Sequence, residues 1–132
     1  MRVALAQLIA STDPAANLDQ VRAHIDRAVA AGAELLVFPE ATMCSFARPR
    51  ADAAEPFDGP WATAVRAAAA AANLTVVVGM FTTTGTERVA NTLLTTGNAE
   101  ARYDKVHLFD ALGYAESQQI QPGPQPVHFD LA

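Results

Sequence analysis

Apolar residues occupy both faces of Val3 to Ala10, the pattern of a central strand covered on two sides, and this predicts a layered α/β fold. Asp13 followed by Pro14 suits a helix cap and first turn. Leu18, Val21, Ile25, Ala28 and Val29 then recur at helical spacing until Gly32 ends the run. A second apolar strand, Leu35 to Phe38, is cut off by Pro39, which leaves Glu40 at its carboxyl end. Met43 to Phe57 mixes prolines, arginines and small residues without periodicity and predicts a long surface loop, of the kind that often serves a site. Asp58-Gly59-Pro60 opens a second helix through the alanine-rich stretch to Ala72, with Asn73 as a left-handed cap and Trp61 packed on the sheet. Leu74 to Phe81 reads as a buried strand and Thr82 to Arg88 as a polar turn. Val89 to Thr96 is a strand that turns at Gly97-Asn98 towards Ala101 to Tyr103. The strands and two helices follow a β-α-β-α-β-β order, with no repeat and no linker dividing residues 1-132.

Composition narrows the partners. A hydrophobic share of 51% over 132 residues is enough for a packed core. The net charge of -5, with no basic stripe, argues against nucleic acid. One cysteine forms no internal disulfide, and no Cys and His spacing resembles a zinc site, so the expectation is a cytoplasmic protein without a structural metal. The opening MRVALAQLIA lacks a small-residue cleavage site, and charged or polar groups interrupt every apolar run before it reaches bilayer length.

Three positions stand out chemically. Glu40 follows directly on a strand, although an acidic residue there also reads as an ordinary solvated loop charge. Lys105, in Arg102 to Asp110, lies just beyond a strand rather than on a solvated helix face, and Glu116 follows eleven residues later. His107 is expected to be a structural, hydrogen-bonded histidine and His24 an ordinary surface residue of the first helix. Asn91 and Tyr103 read equally as supports of the site and as strand-end packing. Arg48 and Arg50 read as a solvated basic loop or as a receiver of a substrate carboxylate.

The MRVALAQ opening, AGAELLVFPEA, VVVGMF, Asn91-Thr92 and YDKVHLFD together resemble the nitrilase superfamily of carbon-nitrogen hydrolases, in its amidase-like branches. The resemblance implies half of an α-β-β-α sandwich, the amino-terminal part of a single domain about twice this length. It also implies Glu40 as general base, Lys105 as the stabiliser of the tetrahedral intermediate, and Glu116 beside the lysine. The substrate implied is a small linear amide, no cofactor is required, and a homo-oligomer is expected of the longer chain. The family's nucleophilic cysteine belongs after Lys105, following a strand that matches Val127 to Leu131, and no cysteine stands there. Cys44, the only one, is expected to be a half-buried loop thiol, lacking the strand-to-helix elbow that assembles an oxyanion site. The chain by itself is thus expected to be inactive. The competing expectation is a catalytically dead module that binds a small amide or carboxylate.

Overall fold

In the computed structural model, which describes residues 1–131, the first three strands are separated by helical crossovers, as parallel pairing requires. β1 (Val3–Leu5) leads through α1 (Pro14–Ala30) to β2 (Leu35–Val37). A short α2 (Arg50–Ala53) and then α3 (Pro60–Ala71) lead to β3 (Thr75–Thr83). β4 (Val89–Thr96) and β5 (Ala101–Asp104) return through tight turns and pair antiparallel, giving a mixed sheet in the order β1-β2-β3-β4-β5. A hairpin of β6 (Asp110–Ala111) and β7 (Tyr114–Ala115) follows. Its two turn residues, Leu112 and Gly113, both have positive φ, as a primed hairpin turn demands.

The helix boundaries follow their capping chemistry. The Asp13 carboxylate accepts from Ala15 N–H at 2.9 Å, and Gly32 (φ 68°) and Asn73 (φ 50°) take the left-handed conformation beyond α1 and α3. At the start of α3 the capping oxygens come from Glu55, which accepts from the backbone N–H groups of Trp61 and Ala62. Val76, Val78 and Met80 of β3 pack against Val21, Ile25 and Ala28 of α1 and Ala62, Val65 and Ala69 of α3. The small alanine side chains bring α3 close to the sheet. Trp61 joins this core and ties α3 to α1 by donating its indole N–H to Pro14 O at 2.9 Å. The opposite sheet face carries a second, smaller core of Phe81, Ala41, Cys44, Ala53, Val89 and Ile120.

Several expectations are corrected. The first strand spans only Val3–Leu5 and is an edge, paired with β2 alone. Ala4, Ala6 and Leu8 pack towards the helices, whereas Leu5 (78% exposed) and Ile9 (90% exposed) face away with nothing over them. The expected loop contains α2, and residues 127–131 form no strand; instead Val127 and Phe129 lie beside Val77, Leu93 and Tyr103 along the face away from the helices. His24 is half-buried, edge-on to Phe38, with Nδ1 against Gln20 O at 2.8 Å. His107 is exposed and makes no hydrogen bond among the described residues. Cys44 is fully rather than half buried.

One contact connects this architecture to the site. The turn Pro39 to Ala41 lies directly on β3 at Gly79, where an added Cβ would stand 2.6 Å from Ala41 N and 2.8 Å from Pro39 O. Met43 N–H donates to Gly79 O at 2.9 Å, and Ala41 adopts φ 58°, turning the chain sharply after Glu40. The clash atoms are backbone on both sides and have no room to yield. Gly79→Ala is therefore expected to cost about 1–3 kcal/mol in a denaturant melt. A loss below about 0.5 kcal/mol, the ordinary surface value, would refute the close approach.

Candidate active site

Strand register places the site on the face away from α1 and α3. β3 and β4 pair Phe81 with Asn91, and β4 and β5 pair Thr92 with Asp104, so the next position of β5 brings Lys105 opposite Asn91. Lys105 N–H donates to Asn91 O at 2.8 Å, which confirms that register one residue past the strand. Asp104 is anchored in turn: its carboxylate accepts from Thr92 Oγ1 at 2.7 Å and pairs with Arg102 at 3.1 Å. Gly123 N–H donates to Lys105 O at 3.0 Å, and Tyr103 Oη accepts from Val106 N–H at 3.2 Å. The lysine backbone is thus held on both sides before its side chain is considered.

Glu40 reaches the same point from β2. Because the Pro39 to Ala41 turn lies over Gly79, the Glu40 carboxylate passes across β3 to β4, where Oε1 accepts from Asn91 Nδ2 at 2.5 Å and from Lys105 Nζ at 3.1 Å. Glu116 arrives from the other direction, on a single 3-10 turn after β7. That turn docks on β4 through Val89 N–H to Gln119 O and Gln121 N–H to Val89 O, with Ile120 fully buried beneath it. Glu116 Oε2 accepts from Phe109 N–H at 2.7 Å and from Lys105 Nζ at 3.0 Å, and Oε1 lies 3.3 Å from the same ammonium.

The structure therefore brings Glu40, Lys105 and Glu116 together, with one ammonium shared by two carboxylates. Their environments differ. The side chain of Glu116 is only 4% exposed, that of Lys105 27%, and that of Glu40 46%, so Glu40 and Lys105 are the more open to solvent. Burial disfavours the Lys105 ammonium, but hydrogen bonds and charge from Glu116 and Glu40 outweigh it and hold the pKa above the ordinary lysine value. Burial likewise opposes the Glu116 carboxylate, and the Phe109 N–H, Lys105 and Asn91 reverse this, leaving its pKa below the ordinary value. Both groups are charged around neutrality. Both Glu116 oxygens lie against the Lys105 ammonium.

These groups line an open cleft of about 540 Å³, walled by Phe46, Phe109, Tyr114 and Arg50. Cys44 is not in that wall. Its thiol is enclosed against Thr12 O and Ser45 O, and burial pushes its pKa up, with Arg48 opposing the rise and Asp13 adding to it. A buried, protonated thiol is a poor nucleophile. No group of His, Cys, Asp and Glu suited to hold a metal occurs among the described residues.

Sequence reasoning left Asn91 open between supporting the site and packing a strand end, and did not connect Gly79 with the site. Asn91 holds Glu40 with its amide and Lys105 with its carbonyl, and a polar side chain at strand register with Lys105 was the available signal. A glycine inside an otherwise bulky strand, VVVGMF, is the corresponding sign of close backbone approach.

Comparison with known proteins finds relatives of this sequence and fold. Hydrolase Rv0480c of Mycobacterium tuberculosis (strain ATCC 25618 / H37Rv) is 52% identical over 132 residues, covering 96% of this chain and 47% of that protein. The CN-hydrolase superfamily protein XC1258 from Xanthomonas campestris, solved with an arsenic adduct in its active site, superposes with a TM-score of 0.79 at 28% identity, covering 95% of this chain and 47% of that one. A mutant of the Nesterenkonia sp. AN1 amidase, with the acetamide moiety of fluoroacetamide added covalently at its active site cysteine, gives a TM-score of 0.77 at 29% identity, over 96% of this chain and 49% of that one. The chain thus spans about half the length of the relatives it matches. The sequence model for the carbon-nitrogen hydrolases matches residues 2–130, which contain Glu40, Lys105 and Glu116, and the chain belongs to the carbon-nitrogen hydrolase family.

Proposed function

We propose that this chain supplies the base and the charge-stabilising lysine of a site that hydrolyses small linear amides, with a thiol nucleophile contributed from sequence beyond these 132 residues. The observation that carries the reading is the shared ammonium: Lys105 Nζ lies 3.1 Å from Glu40 and 3.0 Å from Glu116 at the floor of an open cleft. The relatives named above support the amide class, since the Nesterenkonia protein is an amidase that is modified at a cysteine.

In this reading the thiol gives its proton to Glu40 as the sulfur attacks the amide carbon, forming a carbon-sulfur bond. The carbonyl oxygen becomes an oxyanion, and Lys105, kept protonated by its two carboxylate neighbours, stabilises it. Collapse breaks the carbon-nitrogen bond while Glu40 returns the proton to the leaving nitrogen, so ammonia departs and a thioester remains. Water then attacks the thioester, Glu40 takes its proton, and the carboxylic acid and the thiol are released. Glu116 touches neither reacting atom; it fixes the lysine. Glu40 is half exposed and Glu116 nearly buried, so Glu40 is the more open of the two to a substrate.

Three measurements test this. The reading frame after Ala132 is expected to continue into a strand that presents a cysteine; a stop codon would overturn the thiol assignment. In the protein that carries that cysteine, Glu40→Gln is expected to lower amide hydrolysis by about 10²–10⁴-fold and Lys105→Ala by about 10²–10³-fold, with near-full activity of either variant sinking its role. The ion pair also sets a pH window. Glu116, held below its ordinary 4.5, stabilises the fold above that value and ceases to do so as pH falls through its folded pKa. Lys105, held above 10.5, contributes below that value and ceases as pH rises through its folded pKa. The stability gap between the wild type and Glu116→Gln should therefore be full near neutrality and narrow in acid below pH 4.5; a gap that stays constant in urea melts would count against the charged pair.

A further inference from the structure

Glu40 and Glu116 grip the same ammonium in different ways. Both oxygens of Glu116 lie against Lys105 Nζ, at 3.0 and 3.3 Å, so that carboxylate chelates the lysine. Glu40 touches it through Oε1 alone, at 3.1 Å, and the same oxygen accepts from Asn91 Nδ2 at 2.5 Å. Its Oε2 makes no hydrogen bond among the described residues. A carboxylate oxygen has about two lone-pair sites, so two donors fill Oε1 and a further proton finds its open site at Oε2. The lysine by itself does not impose this asymmetry, because an ammonium on a flexible stem can bridge both oxygens, as it does at Glu116. The amide does impose it. Asn91 is 4% exposed, and its backbone is fixed on both sides, by pairing with Phe81 of β3 and by its carbonyl, which accepts from Lys105 N–H at 2.8 Å. A planar amide at a fixed strand position offers its N–H from one direction only.

We infer that Asn91 is a positioning residue that makes Glu40 the base of this site: its side-chain amide occupies Oε1 beside the lysine, prevents a second chelate, and keeps Oε2 open to take the proton of the attacking thiol. The inference rests on the amide-hydrolase reading above and adds to it the proton-accepting atom and the residue that selects it. In the first step the S–H proton passes to Oε2, and the electron pair left on sulfur forms the carbon-sulfur bond. The proton then moves from Oε2 to the leaving nitrogen as the carbon-nitrogen bond breaks. Water gives a proton to the same oxygen as it attacks the thioester, and the departing thiolate takes that proton back. Asn91 touches neither the substrate nor a moving proton. Glu116 offers no comparable atom, since Phe109 N–H and Lys105 take up Oε2, Lys105 also faces Oε1, and the side chain is 4% exposed.

Asn91→Ala removes the amide and leaves the backbone carbonyl that holds Lys105. In the protein that carries the nucleophile, with butanamide as substrate, it should lower kcat by about 10- to 100-fold, the worth of a hydrogen bond to a charged group. KM should change less than about threefold. Placed on Glu40→Gln, which leaves no base to orient, the same substitution should cost less than a further threefold or so. Should the alanine variant melt early, Asn91→Ser repeats both measurements with a polar side chain that ends one bond short of the amide nitrogen. An equal loss on both backgrounds, or a loss carried by KM, would mean that Asn91 packs a strand end or acts through Glu116, and would overturn the inference. Near-full activity of Asn91→Ala beside an impaired Glu40→Gln would also overturn it, while leaving Glu40 as the base. Near-full activity of Glu40→Gln is the separate outcome that removes the base assignment, and the inference with it.

Discussion

The Lys105 ammonium is the group around which Glu40 and Glu116 are assembled. Glu116 is almost wholly buried, and a carboxylate taken out of water at such a position is tolerable only when its oxygens are satisfied. The Phe109 N–H and Lys105 Nζ donate to it, with Asn91 assisting, and the lysine in turn requires that the carboxylates offset its own partial burial. Removing either member would leave a charge in a poorly solvated place. The turn carrying Glu116, the strand end carrying Lys105 and the loop carrying Glu40 are therefore tied together through one nitrogen. The same arrangement holds a cation in the lining of the open cleft.

That meeting depends on backbone contact more than on side-chain chemistry. β2 and β4 are not neighbours; β3 runs between them, and any side chain at position 79 would hold the Glu40 turn off the sheet. Gly123 plays a similar part on the far side, since a Cβ there would stand 2.1 Å from Asp104 O. The left-handed Ala41 completes the approach by reversing the chain immediately after Glu40. Asn91 then uses both of its polar groups, the side-chain amide on one partner and the backbone carbonyl on the other.

Charge divides the cleft into two regions. At one end the lysine is saturated by carboxylates, and at the other a guanidinium is held only by an amide oxygen, a phenol and a ring face. The segment from Phe109 through β7 contributes to both ends, because Phe109 N–H binds Glu116 while the Tyr114 hydroxyl accepts from Arg50. Its position therefore couples the lysine to the arginine. Membership of the carbon-nitrogen hydrolases, over residues 2–130, gives this geometry its chemical context.

Much was legible in the amino acids alone. Helical spacing from Leu18 to Val29, the stop at Gly32, the capping Asn73 and the strand runs around Leu36, Val76 and Leu94 are local signals, and the observed elements match them because each is decided within a few residues. Glu40, Lys105 and Glu116 were singled out by position after strands and by motif spacing. What sequence could not supply was sidedness and neighbourhood. The apolar run Val3 to Ala10 is equally apolar whether one or two strands flank it, and only the sheet order shows it to be an edge with Leu5 and Ile9 uncovered. Arg48 and Arg50 have the same chemistry two residues apart, yet backbone carbonyls take one and the cleft takes the other. Hydrogen-bonding capacity is written in the residue type, but the partner that satisfies it, or leaves it free, is chosen by chain segments 60 or more positions away, as with Arg50 and Gln119.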